Sequence, residues 1–141
     1  MTDPTPRPAP TPQRVLLVED HEHIRKLVNA SLKPLRIPID EASSGDAARV
    51  LLHAHPDAYS LAILDIMLPG GTNGLDLCRE IIARRNAAGH AWPYVIVLSA
   101  RAQQSDRQMA ADSGADRFMS KPFSPLELLA TVRAQLSSSP G

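Results

Sequence analysis

The chain has 141 residues, enough for one domain with its own core, and fifteen basic residues balance fifteen acidic ones, so the net charge is zero with His neutral. Hydrophobic residues make up 43%, ordinary for a globular chain, and the balanced charge argues against nucleic acid as a direct partner. No apolar run nears the roughly 18 residues of a membrane span, the N-terminus lacks an apolar signal core, and the single Cys78 permits no internal disulfide, so no membrane association is expected and the expected location is the cytoplasm.

Residues 1–13 carry Pro4, Pro6, Pro8, Pro10 and Pro12. Every second residue lacks an N–H, which forbids both helix and sheet. The segment reads as a disordered, solvated tail, with a proline-motif ligand as the alternative. Val15 to Val18 is an apolar run without alternation, the mark of a strand buried on both faces, and it ends at Glu19 and Asp20. Ile24, Leu27, Val28 and Leu32 then follow at helical spacing, and Pro34 marks the stop. Ile37 to Ala42 is a weaker strand whose Pro38 suits a sheet edge. Ser43-Ser44-Gly45-Asp46 is a turn and cap signal before Ala47, Val50, Leu51 and Ala54, and Pro56 closes that helix.

Leu61 to Leu64 is a second buried run, ending at Asp65 and a turn rich in Pro and Gly. A helix follows with Leu75, Cys78, Ile81 and Ile82 facing inward, ending near Asn86 to Gly89 with Arg84 and Arg85 in solvent. Cys78 reads as a small core residue. Tyr94 to Leu98 is a strand that ends at Ser99, and Ala102 to Ser113 a more polar helix closed by Gly114. Asp116 to Ser120 is a short strand running into Lys121-Pro122. Leu126, Leu129, Val132 and Leu136 give the last helix, with Ser124 as N-cap and Pro125 at its first position. The folded unit is therefore expected over 14–136, with 137–141 a flexible tail or the start of a linker.

Strand and helix alternate five times. That pattern predicts an α/β fold, a doubly wound five-stranded parallel sheet with helices on both faces. The expected order is 2-1-3-4-5, taken from the known flavodoxin-like (βα)5 arrangement rather than deduced from this chain. In such sheets the carboxyl ends of the strands carry the chemistry. Those ends supply Glu19 and Asp20, Asp65, Ser99 and Lys121.

Three carboxylates and one ammonium leave the pocket short of positive charge. Two like charges about 4 Å apart repel by about 4 kcal/mol at an effective dielectric near 20. A divalent cation restores the balance, and oxygen ligands with no His or Cys suit Mg²⁺ or Mn²⁺ over Zn²⁺. A carboxylate beside such a cation and a lysine is arranged to accept a phosphoryl group as an acyl phosphate. The Ser99 hydroxyl and the Ala100 N–H are placed to hold a phosphoryl oxygen.

These stretches resemble the receiver (response regulator) domain of two-component signalling. Val15 to Asp20 resembles the family's first strand and acidic pair. Ile63 to Pro69 resembles the phosphoacceptor strand and loop. Val97-Leu98-Ser99-Ala100 resembles the fourth strand, and Gly114 to Phe123 the fifth strand and its lysine. The likeness covers about residues 14 to 136. It implies that Asp65 accepts phosphate from a sensor histidine kinase or phosphotransfer protein, catalysing its own phosphorylation and dephosphorylation without being an enzyme in the ordinary sense. It implies Mg²⁺ on Asp20, Asp65 and the Met67 carbonyl, with Glu19 acting mainly through water. Lys121 would contact the phosphoryl group, and the Lys121-Pro122 bond would be cis. Ser99 and Phe118 would form a switch that remodels the face of the fourth helix, fifth strand and fifth helix, read by a downstream protein, an output domain or a phosphorylation-linked homodimer. Met67 and Ala100 occupy positions that tune phosphate lifetime. The chain departs from the family in one place: Gly74 lies five residues after Pro69 where the family usually has four.

Three other readings compete. The alternative is a receiver cut from a longer regulator with a DNA-binding or cyclase output domain. A phosphatase of the haloacid dehalogenase type needs a second Asp two residues after the first, and position 67 is Met. A flavodoxin-like binder has no use for Lys121 and the paired acids. His21 and His23 read as solvated residues at a helix start, a metal-binding pair being the lesser reading, and Arg101 as a surface residue beside the site, contact with the phosphate being the lesser reading.

Overall fold

The structure, a computed structural model, describes residues 13–70, 73–100 and 104–137. The proline-rich tail, Arg101 and residues 138–141 therefore lie outside the described residues, as does part of the loop after Pro69. Five strands form one parallel sheet: β1 (Val15–Val18), β2 (Ile39–Ala42), β3 (Leu61–Asp65), β4 (Tyr94–Ser99) and β5 (Arg117–Ser120), in the order β2-β1-β3-β4-β5. The helices are α1 (Glu22–Leu32), α2 (Gly45–Ala54), α3 (Gly74–Ala88), α4 (Gln104–Asp112) and α5 (Pro125–Ser137).

Period-two geometry sends successive side chains of each strand to opposite faces. Val15, Leu17, Leu61, Ile63, Ile96 and Leu98 meet α1 and α5, where Val28, Leu32, Leu128 and Val132 are buried. Leu16, Val18, Ala62, Leu64, Val95 and Val97 meet α2, α3 and α4, where Ala48, Leu52, Leu77, Cys78, Ile81 and Ala110 are buried. A helix packs on each face of the central strands, so both faces need apolar residues and the runs show no alternation.

Caps fix the helix starts. The Ser44 hydroxyl accepts the Ala47 N–H at 3.1 Å, the Asn73 side-chain oxygen accepts the Asp76 N–H at 2.8 Å, and the Ser124 hydroxyl accepts the Glu127 N–H at 3.3 Å. Helix α1 ends at Leu32 and continues as a single 3-10 turn, Lys33–Leu35, around Pro34.

Several expectations shift by a register or a face. The edge strand β2 starts at Ile39, because Pro38 lacks an N–H and contributes only its carbonyl, which accepts the Val15 N–H at 2.9 Å. β5 starts at Arg117, one residue later than expected, because the Asp116 side chain accepts the Val95 N–H at 2.8 Å at the strand's start. Leu27, Val50 and Leu126 are exposed, Val50 at 68% and Leu126 at 77%, while Ala48, Leu52 and Leu128 take the buried positions. An apolar residue at helical spacing gives the helix but not its phase about the axis, which the neighbouring strands decide. Arg85 is not solvated. Its guanidinium donates to Asp116 Oδ2 at 2.8 Å and to the Pro93 carbonyl at 3.2 Å, tying the end of α3 to the start of β5.

Gly74 opens α3 in close contact with the end of β3. A Cβ at Gly74 would overlap the Asp65 carbonyl oxygen, and the Gly74 N–H donates to the Ile66 carbonyl at 3.0 Å.

Candidate functional site

The carboxyl ends of β1, β3, β4 and β5 converge, and parallel pairing sets how. Val18 stands opposite Leu64, Asp65 opposite Leu98, and Ser99 opposite Ser120. The residues that follow these partners therefore leave the sheet side by side. Glu19 is fully buried, Asp65 is 2% exposed, and Ser99 is also buried.

Lys121 bridges the acids across 102 positions of sequence. Its Nζ donates to Glu19 Oε1 at 2.5 Å and lies 3.2 Å from Asp65 Oδ2. Burial pulls the Lys121 ammonium toward deprotonation, but the Glu19 hydrogen bond and the Asp65 charge outweigh it, so it titrates above its usual value. Burial drives the Glu19 carboxyl up to about 7 from an ordinary 4.5; the neighbouring Asp65 adds to the rise and Lys121 opposes it. One ammonium does not satisfy two buried carboxylates.

Two oxygens in this pocket remain unserved. Glu19 Oε2 and Asp20 Oδ1 are both buried and accept no hydrogen bond from the described residues. His21 Nδ1 lies 3.2 Å from Asp20 Oδ1 and 3.7 Å from Glu19 Oε2, within ion-pair distance of both but without a hydrogen bond to either. Ligand atoms of Glu19, Asp20, His21 and Asp65 all lie within 4.8 Å of one another. The expected site residues Glu19, Asp20, Asp65 and Lys121 are thus brought together. His21, expected mainly as a solvated residue at a helix start, sits at the rim of the acids as the residue before α1, whereas His23 lies edge-on to the His21 ring, centroids 5.6 Å apart, outside the acidic cluster. Adjacency to the acidic pair was the available signal for His21.

The loop and the fourth strand frame the pocket. The Met67 N–H donates to Asp65 Oδ1 at 3.2 Å, which holds the carboxylate in one orientation, and the Met67 side chain is 64% exposed. The Lys121 N–H donates to the Ser99 carbonyl at 2.7 Å, so the lysine's backbone hangs from the end of β4. Ala100 is exposed, and the Lys121-Pro122 bond is cis. Phe118 is half-buried against the α2–α3–α4 side of the core, with the Arg107 guanidinium 4.8 Å from its ring centroid. Cys78 is fully buried, its sulfur beside the Ser113 hydroxyl at 3.4 Å, and burial pushes its thiol pKa up.

A doubly wound sheet with an acidic cluster and a lysine at its strand ends defines a class of signalling domain, and known proteins agree with it. Residues 15–133 match the family model of the response regulator receiver domain. The chain is 35% identical over 123 residues to the transcriptional regulatory protein ResD of Bacillus subtilis, covering 87% of this chain and 48% of that one. It is 37% identical over 124 residues to the phosphate regulon transcriptional regulatory protein PhoB of Rhizobium meliloti, covering 87% and 52%. Among solved structures, the BeF3-activated N-terminal receiver domain of Klebsiella pneumoniae RstA superposes with a TM-score of 0.72 at 26% identity, covering 87% of this chain and 97% of that one.

The chain belongs to the response regulator receiver domain family of two-component signalling. It spans about half the length of the curated relatives it matches. Among the described residues no helix is long and apolar enough to cross a membrane.

Proposed function

We propose that this receiver, over residues 14–136, accepts a phosphoryl group on Asp65 from a phosphohistidine of a sensor kinase or phosphotransfer protein. The carrying observation is the Lys121 ammonium lodged between the Glu19 and Asp65 carboxylates while Glu19 Oε2 and Asp20 Oδ1 accept no hydrogen bond from the described residues. In the transfer an Asp65 carboxylate oxygen bonds to phosphorus as the bond from phosphorus to the donor nitrogen breaks, and that nitrogen keeps the electron pair. Lys121 then faces the phosphoryl oxygens, so its hydrogen bond passes from carboxylate to phosphoryl group. Ser99 and the Ala100 N–H lie at the adjacent strand end to receive another phosphoryl oxygen.

The donor set fits a hard divalent cation. The unpartnered atoms are carboxylate oxygens, the deficit is of positive charge, and Mg²⁺ prefers oxygen donors and keeps several waters. Asp20, Asp65 and the Met67 carbonyl would hold Mg²⁺, or Mn²⁺ in its place, with Glu19 reached through water. When bound it supplies positive charge that offsets the charge of the transferred group. Hydrolysis of the acyl phosphate returns the free carboxylate, and Met67 and Ala100 stand where side-chain size governs water access. The receiver thereby runs its own phosphorylation and dephosphorylation.

The output of the switch is the face of α4, β5 and α5. Phe118 is half-buried, which leaves it a more buried state to enter when Ser99 moves toward phosphate. Phosphate must favour that state by a few kcal/mol to invert the populations. A second reading, a receiver that is one part of a longer regulator, is supported by the curated relatives being about twice this chain's length. ResD and PhoB are named as transcriptional regulatory proteins, so a DNA-binding output is favoured over a cyclase, and a phosphorylation-linked homodimer is the natural way to present it.

Incubation with acetyl phosphate and Mg²⁺ tests the reading by intact mass. The wild type gains one phosphoryl group, and neither Asp65→Ala nor the Mg²⁺-free sample does. An unchanged gain in Asp65→Ala contradicts the assignment.

A further inference from the structure

The amino ends of the strands, opposite the acidic pocket, hold a groove of about 150 Å³ that the proposed function does not use. Leu52, Tyr59, Trp92 and Pro93 line it, and Asp57 and Arg84 stand among its charged residues. Trp92 stacks on His90 with ring centroids 4.1 Å apart and planes 16° from parallel. The indole Nε1–H of Trp92 is buried and has no acceptor among the described residues. Buried polar groups are nearly always partnered, so this donor marks a place for a carbonyl.

The N-terminal segment leaves the fold beside this groove. The Ser60 N–H donates to the Arg14 carbonyl at 2.9 Å, and the Tyr94 N–H donates to the Ser60 carbonyl at 3.0 Å. Arg14 also pairs with Asp40 at 3.0 Å, and the Tyr59 hydroxyl donates to the same carboxylate at 2.7 Å. Arg14 is thus tied to Ser60, beside Tyr59, and through Ser60 to Tyr94, beside Pro93. Residues 1–12 precede this point, with Pro at positions 4, 6, 8, 10 and 12. Twelve residues in the polyproline II conformation reach about 37 Å, ample for elements that adjoin Arg14.

The chemistries match. A prolyl segment offers carbonyls with no competing N–H, and its rings pack against aromatic faces in a conformation that costs little entropy to fix. An indole N–H with no acceptor suits such a carbonyl. Charge gives the segment one local anchor: Arg7 is its one basic residue, alongside the acidic Asp3, and Asp57, 77% exposed and 3.9 Å from His90, is the one acid of a groove whose lining also carries Arg84 and Arg85.

We propose that the proline-rich N-terminal segment docks in cis in this groove, a prolyl carbonyl accepting the Trp92 indole N–H and Arg7 facing Asp57. The segment then covers the amino end of the sheet rather than trailing in solvent, and the phosphorylation face stays free.

Trp92 is the only tryptophan, so tryptophan-selective fluorescence reports on this groove alone. The test compares acrylamide quenching of the full chain with that of the full-length variant carrying Pro6→Ser, Pro8→Ser and Pro10→Ser. A short tether supplies an effective concentration in the millimolar range, so a weak site is about half closed and the variant quenches about twofold faster. A synthetic peptide of residues 2–12 added at millimolar concentration restores protection to the variant. Arg7→Glu also loses protection, and pairing it with Asp57→Arg regains it. Equal quenching in wild type and variant overturns the proposal. So does protection that grows with protein concentration, which assigns the groove to a second copy's segment, or indifference of the variant to the peptide.

Discussion

At the scale of single residues, the acidic pocket is a problem of burial against charge. Lys121 is 12% exposed and serves Glu19 and Asp65 together. Replacing it with Ala leaves two buried carboxylates uncompensated, a loss that protonation of Glu19 limits because its carboxyl already sits near 7. Lys121→Ala is expected to lose about 2 kcal/mol in Mg²⁺-free urea unfolding. The same balance predicts the effect of metal. For a millimolar site, 10 mM Mg²⁺ adds about 1.4 kcal/mol of stability, and Asp20→Asn loses most of that gain. Both quantities come from urea midpoints with and without Mg²⁺. Tyr59 predicts a pH dependence at the other end of the sheet. Burial first, and then the hydrogen bond to Asp40, raises its pKa above the ordinary 10.0. The folded state therefore holds the phenol proton more tightly than the unfolded chain does. That stability is fully present below pH 10 and is lost as pH climbs through the folded value. Tyr59→Phe should show a shallower decline of the urea midpoint above pH 10 than wild type. The sequence disclosed which charges gather, because each follows a buried run. It did not disclose that Glu19 turns fully inward to Lys121, since that depends on side-chain direction at a strand end.

At the scale of elements, the helices test how far periodicity goes. Leu126 and Leu128 belong to the same first turns of α5, yet one is exposed and the other fully buried. Leu128→Ala is expected to cost about 2–5 kcal/mol, and Leu126→Ala to stay within about 0.5 kcal/mol. Equal costs in chemical unfolding would contradict the observed phase of the helix. The loop before α3 gives a sharper case. Gly74 touches the Asp65 carbonyl so closely that no side chain fits, so Gly74→Ala must push the start of α3 away from β3. The expected cost is about 1–3 kcal/mol by thermal unfolding, with a slower acetyl phosphate reaction at Asp65. The one-residue longer spacing from Pro69 was plain in the sequence; the close approach of Gly74 to the Asp65 carbonyl was not, because close backbone approach leaves no periodic trace. The Arg85–Asp116 tie escaped for a related reason, since its partners lie 31 residues apart and join two elements only after they pack.

At the scale of the whole molecule, five strand–helix units were legible because buried parallel strands write uninterrupted apolar runs. Alternation with amphipathic helices then leaves few topologies. The strand order itself came from a known fold, and the pairing of β1 with both β2 and β3 agrees with it. This topology puts the proposed phosphoacceptor and its counter-ion on different units, Asp65 at the end of β3 and Lys121 after β5, so neither half of the chain holds the proposed pocket alone. The groove at the amino ends lies on the far side of the same sheet, which keeps whatever docks there clear of the pocket.

The most direct measurement is to phosphorylate the full chain with acetyl phosphate and Mg²⁺, reduce the product with borohydride, and map the reduced residue by peptide mass. An acyl phosphate on Asp65 is converted to homoserine at position 65, in amounts that fall sharply without Mg²⁺ or with Lys121→Ala. Homoserine at any other position, or equal yield without the metal, contradicts the account.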